Sequence, residues 1–173
     1  VQDNFGDGFD AFFSAGIHPC YINNESLQFT LLEKIASQTN VKLIGECGLD
    51  KAIDFDFEVQ KRVFEKQIQL ANLQKKPMTI HCVRAFDELL FLSKNAKTPW
   101  IIHGFNKNLV LAKQLIQKGL YLSFGKHILN DERIEEILRS IPLEKVFFET
   151  DDYNTSIVDI YKKASDILKM DIR

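Results

Sequence analysis

Val41-Lys42-Leu43-Ile44-Gly45-Glu46 is a short, β-rich apolar run that ends on a carboxylate. A turn follows, and then about Asp56–Gln74. There Phe57, Phe64, Ile68 and Ala71 recur at threes, fours and sevens, while Glu58, Lys61, Arg62 and Glu65 take the other side. That is the period of an amphipathic helix. Pro77 closes the helical region and opens a second apolar run, Met78-Thr79-Ile80-His81. A strand, a helix and a strand joined this way read as two parallel strands with a crossover.

The same rhythm extends in both directions. Further strand-like runs are Ala11–Ile17, Trp100–His103, Leu120–Phe124 and Lys145–Thr150. Helical patterns lie between them, at about Leu27–Gln38, Ala85–Asn95, Asp131–Ser140 and Ser156–Leu168. Asn106 is a candidate cap for a helix in which Leu109, Ala112, Leu115 and Ile116 face inward, and Gly119 stands where a C-terminal glycine belongs. Six strand–helix units in 173 residues fit an open doubly wound sheet or an incomplete barrel. A closed eight-unit barrel typically takes about 250 residues. No break in composition divides the chain, so residues 1–173 read as one α/β domain.

Composition narrows the function. Lys plus Arg is 22 and Asp plus Glu is 24, a formal net charge of −2. Such balance excludes a polyanion binder held by bulk charge, and a nucleic-acid role requires a local basic site. No apolar run approaches the roughly 20 residues of a membrane helix. The first residues carry no secretory signal, and three cysteines fit a reducing, cytoplasmic compartment. Val1 stands where an initiator Met would, so the natural start is expected upstream.

The strand ends carry the chemistry. Glu46, His81 and His103 each end an apolar run, and Asp151 follows Phe147-Phe148-Glu149-Thr150. Parallel α/β folds place their sites at this edge. Singly, each residue reads as a hydrogen-bonded structural group, a cap or a loop charge. Together, two carboxylates and two imidazoles on one edge are costly to bury without a cation. Mixed imidazole and carboxylate donors suit Zn²⁺ or Mn²⁺ better than Ca²⁺. His18, in His18-Pro19, is a further ligand, an oxyanion donor or a turn residue; His127 reads as a solvated loop residue. Lys107 and Lys126 read as solvated. Arg84 rises above them as a phosphate contact, because guanidinium grips phosphate through two hydrogen bonds. Cys47 and Cys82 directly follow Glu46 and His81, so their sulfurs are expected to face away from the cluster.

These residues lie in motifs that resemble the TatD-like metal-dependent deoxyribonucleases of the amidohydrolase-like barrel superfamily. The motifs are Gly16-Ile17-His18-Pro19, Ile44-Gly45-Glu46-Cys47-Gly48-Leu49-Asp50, and Phe64-x-x-Gln67-x-x-Leu70-Ala71 running on to Pro77 and Ile80-His81. They continue as Ile102-His103-Gly104-Phe105, Gly119–Gly125 and Phe148-Glu149-Thr150-Asp151. The resemblance covers about residues 11–154. It implies a TIM-like (β/α) barrel in which the six strands are the third to the eighth.

The resemblance also implies roles. Glu46 would bridge two metals, His81 and His103 would serve mainly the second, and Asp151 would bind the first and orient or deprotonate the attacking water. His18 and Arg84 would contact the phosphate of a DNA substrate. The family opens with a His-x-His pair, yet no His precedes His18 here. The expectation is therefore a barrel without its first two strands and its C-terminal tail. It would bind one divalent ion (Zn, Mn or Mg) where the full-length protein binds two, and could self-associate through an open sheet edge. Arg84 stands three residues after His81 where many members have two, and Asn106-Lys107-Asn108 replaces the usual Ser-Gly-type turn. The activity implied is hydrolysis of DNA phosphodiester bonds by metal-activated water. The alternatives are a truncated barrel with impaired catalysis, or a hydrolase of a small-molecule ester or amide. No protein partner and no membrane association are implied.

Overall fold

Six strands form one sheet in sequential order, β1 (Phe13–Ala15), β2 (Val41–Asp50), β3 (Met78–Val83), β4 (Trp100–Ile102), β5 (Tyr121–Phe124) and β6 (Val146–Phe148), with every neighbouring pair parallel. The computed structural model describes residues 11–151 and 154–171. A doubly wound sheet reverses its strand order at a switch point. This one does not, and it curls into a half-barrel, an incomplete TIM barrel.

Helices α1 (Glu25–Ala36), α2 (Phe57–Gln74), α3 (Phe86–Leu92), α4 (Leu109–Gln117), α5 (Glu132–Ser140) and α6 (Ile157–Leu168) alternate with the strands. Polar side chains cap five of them. Asn24, Asp56, Asn108, Asp131 and Ser156 each accept an exposed first-turn N–H. The cap of α4 is Asn108, not Asn106, because only Asn108 reaches the Leu111 N–H, at 2.9 Å. Gly119 follows the C-cap of α4 at φ +88°, the left-handed conformation that suits glycine.

The core lies where the helices meet the sheet. Phe64, Ile68 and Ala71 of α2 are buried, as are Ile44, Met78, Ile80, Ile102, Leu122 and Phe124 of the strands. Burying each large apolar side chain contributes about 1.5–3 kcal/mol. Among the described residues β1 pairs only with β2 and β6 only with β5. No described helix is long and apolar enough to cross a membrane.

The strand β2 runs four residues past its expected end at Glu46. Gly48, Leu49 and Asp50 pair with His81, Cys82 and Val83 of β3. Between Ile44 and Cys47 the ladder carries an extra residue, since these two oppose Met78 and Ile80. Such a bulge bends a strand and re-aims a side chain. Gly45 permits it: at φ +149°, a Cβ there would lie 2.4 Å from the Thr79 carbonyl oxygen.

Candidate metal centre

Glu46 enters the site from the bulge of β2, His103 from the residue after β4, and Asp151 from the segment after β6. One donor atom from each lies within 4.8 Å of the other two. His103 is fixed to the sheet by its N–H, which donates to the Ile80 carbonyl at 3.1 Å. Its Nε2 stands 3.6 Å from Glu46 Oε2, and its Nδ1 stands 3.6 Å from Glu149 Oε1. Asp151 is exposed and left-handed, at φ +51°. A non-glycine residue held in that region costs of order 1–3 kcal/mol, and such residues cluster at functional sites.

His81 is drawn to one side of this group. Its Nε2 lies 2.9 Å from Oδ2 of the buried Asp50, and its Nδ1 lies 3.3 Å from His103 Nε2. The expected convergence of Glu46, His81 and His103 on one point therefore takes a different form. Asp151 stands in the three-donor group, and His81 flanks it on the lead of Asp50. The second Asp50 oxygen accepts the Ala52 N–H at 2.7 Å, so the carboxylate is anchored.

Glu149 plays the corresponding part for His103. It also accepts the Gly104 N–H, and Gly104 adopts φ +59° to present it. Burial opposes ionisation of Glu149, but hydrogen bonds from His103, Ser123 and Gly104 outweigh it and lower the carboxyl pKa. Burial likewise disfavours His103 cation. The Glu149 hydrogen bond and the charges of Glu46, Glu149 and Asp151 prevail and raise the imidazole pKa. Burial pushes the Glu46 carboxyl up, assisted by Asp151 and opposed by His103 and His81. An anionic centre that holds its imidazoles by carboxylates fits a cation.

His18 borders the same group. Its ring meets His81 edge-on at 4.4 Å between centroids, and its Nε2 is 4.0 Å from Glu46 Oε2. Nδ1 accepts the Cys20 N–H at 3.2 Å. Burial, then the neighbouring His81 and His103, lower its pKa to about 4. At neutral pH it is an uncharged ring with its proton on Nε2, facing the site.

Beside the centre opens a cleft of about 250 Å³ whose walls include His81, His103, Glu149 and Asp151 with Phe86, Phe105, Lys107, Lys126 and His127. His127, expected in a solvated loop, lines it, with Nε2 3.5 Å from Asn106 Nδ2. Arg84 is exposed at φ +54° and does not line the cleft. Cys47 and Cys82 are buried, and burial raises both thiol pKa values, that of Cys82 to about 12.

Nothing in the sequence marks Asp50 or Glu149, taken singly, as a site residue. Asp50 lies beyond the expected end of β2, and Glu149 reads as a strand residue beside Asp151. The available signal was a carboxylate at the same strand edge as each histidine.

The model of the family described as TatD related DNase matches residues 6–163. The chain belongs to that family. It is 30% identical over 154 residues to the 3′-5′ ssDNA/RNA exonuclease TatD of Salmonella typhimurium, covering 80% of this chain and 56% of that protein. It is 27% identical over 157 residues to the uncharacterized metal-dependent hydrolase YcfH of Escherichia coli K12, covering 87% and 59%. In fold it is similar to the crystal structure of YjjV, a TatD homolog from Escherichia coli K12. The TM-score is 0.77 at 22% identity, over 90% of this chain and 68% of that one. The chain thus spans little more than half the length of these curated relatives.

Proposed function

We propose that this TatD-family chain serves a metal-dependent hydrolase that cleaves phosphodiester bonds of DNA. The convergence of Glu46, His103 and Asp151 within 4.8 Å carries the reading. Three protein donors that leave room for water or substrate are the arrangement of catalytic rather than structural sites. A divalent cation bound there, Zn²⁺, Mn²⁺ or Mg²⁺, supplies Lewis-acid stabilisation of a phosphoryl oxygen and lowers the pKa of a bound water. One ion per chain is the stoichiometry that this donor group supports.

The residues divide the work by position. Glu46, His103 and Asp151 would hold the cation, with His81 beside them. Asp151, the exposed member, holds the attacking water and accepts its proton. Neutral His18 donates from Nε2 to a phosphate oxygen. Lys107 and Lys126 line the adjoining cleft and favour a polyanion there; Arg84 would act only at its exposed margin. The exonuclease activity in the name of the Salmonella relative supports single-stranded DNA as the substrate to try first. The reduced cysteines fit a cytoplasmic setting.

The test is end-labelled single-stranded DNA incubated with the protein and Mn²⁺. Stepwise release of nucleotides, abolished by a chelator and by Asp151→Asn, is expected. Cleavage that survives either treatment, or no cleavage by the metal-loaded protein, would overturn the reading.

A further inference from the structure

Helix α2 buries two glutamines on a face otherwise made of Val63, Phe64, Ile68 and Ala71. An amide in such surroundings is costly unless hydrogen-bonded. Both are. Gln67 accepts the Ile17 N–H through Oε1 at 2.7 Å and donates through Nε2 to the Ile17 carbonyl at 3.0 Å. Gln60 accepts the Asp50 N–H at 2.8 Å and donates to the Asp50 carbonyl at 3.0 Å. The pair stand two helical turns apart on one face.

Each glutamine meets backbone groups that lie past the end of β1. β1 ends at Ala15, paired with Ile44, so no β1 residue is available beside Asp50 on that side of β2. Backbone satisfaction alone would explain that much. What goes further is where the two clamped residues lead. Ile17 immediately precedes His18, whose ring sits edge-on against His81 at 4.4 Å. Asp50 holds His81 Nε2 at 2.9 Å. Both clamps end on the same imidazole.

We propose that Gln60 and Gln67 are positioning residues of the metal centre. They fix the two backbone points from which Asp50 and His18 hold His81, so that its Nδ1 faces His103. Gln60 acts through Asp50 and Gln67 through His18. The inference rests on the reading of the cluster as a metal centre.

The test is a pair of double-mutant cycles read by Zn²⁺ affinity and thermal unfolding on the same samples. Gln60→Met is expected to weaken Zn²⁺ binding roughly 10-fold in the unaltered background. In an Asp50→Asn background it should weaken binding no further, while the unfolding temperature falls in both. Gln67→Met should behave likewise against His18→Phe. Lower unfolding temperatures with unchanged Zn²⁺ affinity, or equal affinity losses in both backgrounds, would overturn the inference.

Failure of the unaltered protein to bind Zn²⁺ would remove the metal reading and the inference with it. Binding that both Met variants retain removes the inference alone. Should the Met variants fail to fold, nitrogen-15 NMR of the metal-free protein decides. His81 in a single tautomer protonated at Nε2 is expected, and two interconverting tautomers would overturn the proposal.

Discussion

Gly48→Ala should damage fold and site together. Gly48 pairs with His81 across β2 and β3. A Cβ added there would stand 2.0 Å from the His81 carbonyl oxygen and 2.9 Å from its carbonyl carbon. Ordinary contact begins near 3.4 Å, so the strands must part by more than an ångström. The φ of +145° adds a conformational penalty of order 1–3 kcal/mol for any side chain. Parting the strands weakens buried ladder hydrogen bonds, and a buried group left unmet costs about 1–3 kcal/mol. The sum is roughly 2–6 kcal/mol, a large share of the 5–15 kcal/mol that stabilises a typical domain. Urea unfolding followed by circular dichroism reads the loss as a lower midpoint. A loss below about 1 kcal/mol at unchanged slope would refute the close-approach argument, since no relaxation that small can clear the overlap.

Thiol labelling at neutral pH should modify exposed Cys20 and leave buried Cys47 and Cys82 unreacted until the chain unfolds; equal rates by mass spectrometry would contradict their burial. Arg62 donates to Glu25 at 2.6 and 3.1 Å, tying α2 to the start of α1. That hydrogen bonding lowers the Glu25 pKa, so the pair stabilises above the unfolded carboxyl value and the contribution is lost as pH falls through the folded one. Arg62→Ala should lower stability slightly at neutral pH and not at all once Glu25 is protonated in both states; a loss independent of pH would contradict the sign. β6 pairs on one side only among the described residues, and an open strand edge recruits other chains. Sedimentation velocity should therefore show self-association rising with concentration, and a monomer at every concentration would count against an open edge.

The parallel architecture was legible because helix and strand periods differ and alternate without interruption. The choice between sheet and barrel was not, since periodicity carries no strand order; family resemblance supplied it, and the sequential order bears it out. Glu46, His103 and Asp151 were legible as donor types at strand ends. The direction of His81 was not. It depends on Asp50, which lies in a segment whose glycines read as the end of a strand, although they let β2 run close against β3. Asn106 and Asn108 are equivalent as caps in sequence, and only the start of α4 at Leu109 distinguishes them. Arg84 reads as a phosphate contact by chemistry alone, whereas its placement depends on a left-handed turn after β3 that sequence does not signal.

The donor atoms of Glu46, His103 and Asp151 lie close enough together to share one cation. Calorimetric titration of the protein with Mn²⁺ or Zn²⁺ tests this sharing most directly, alongside Glu46→Gln, His103→Ala and Asp151→Asn. One ion per chain is expected, with affinity at least about 10-fold weaker in each folded variant, or 1.4 kcal/mol. Absence of binding, or binding that all three variants leave unchanged, would contradict a shared site.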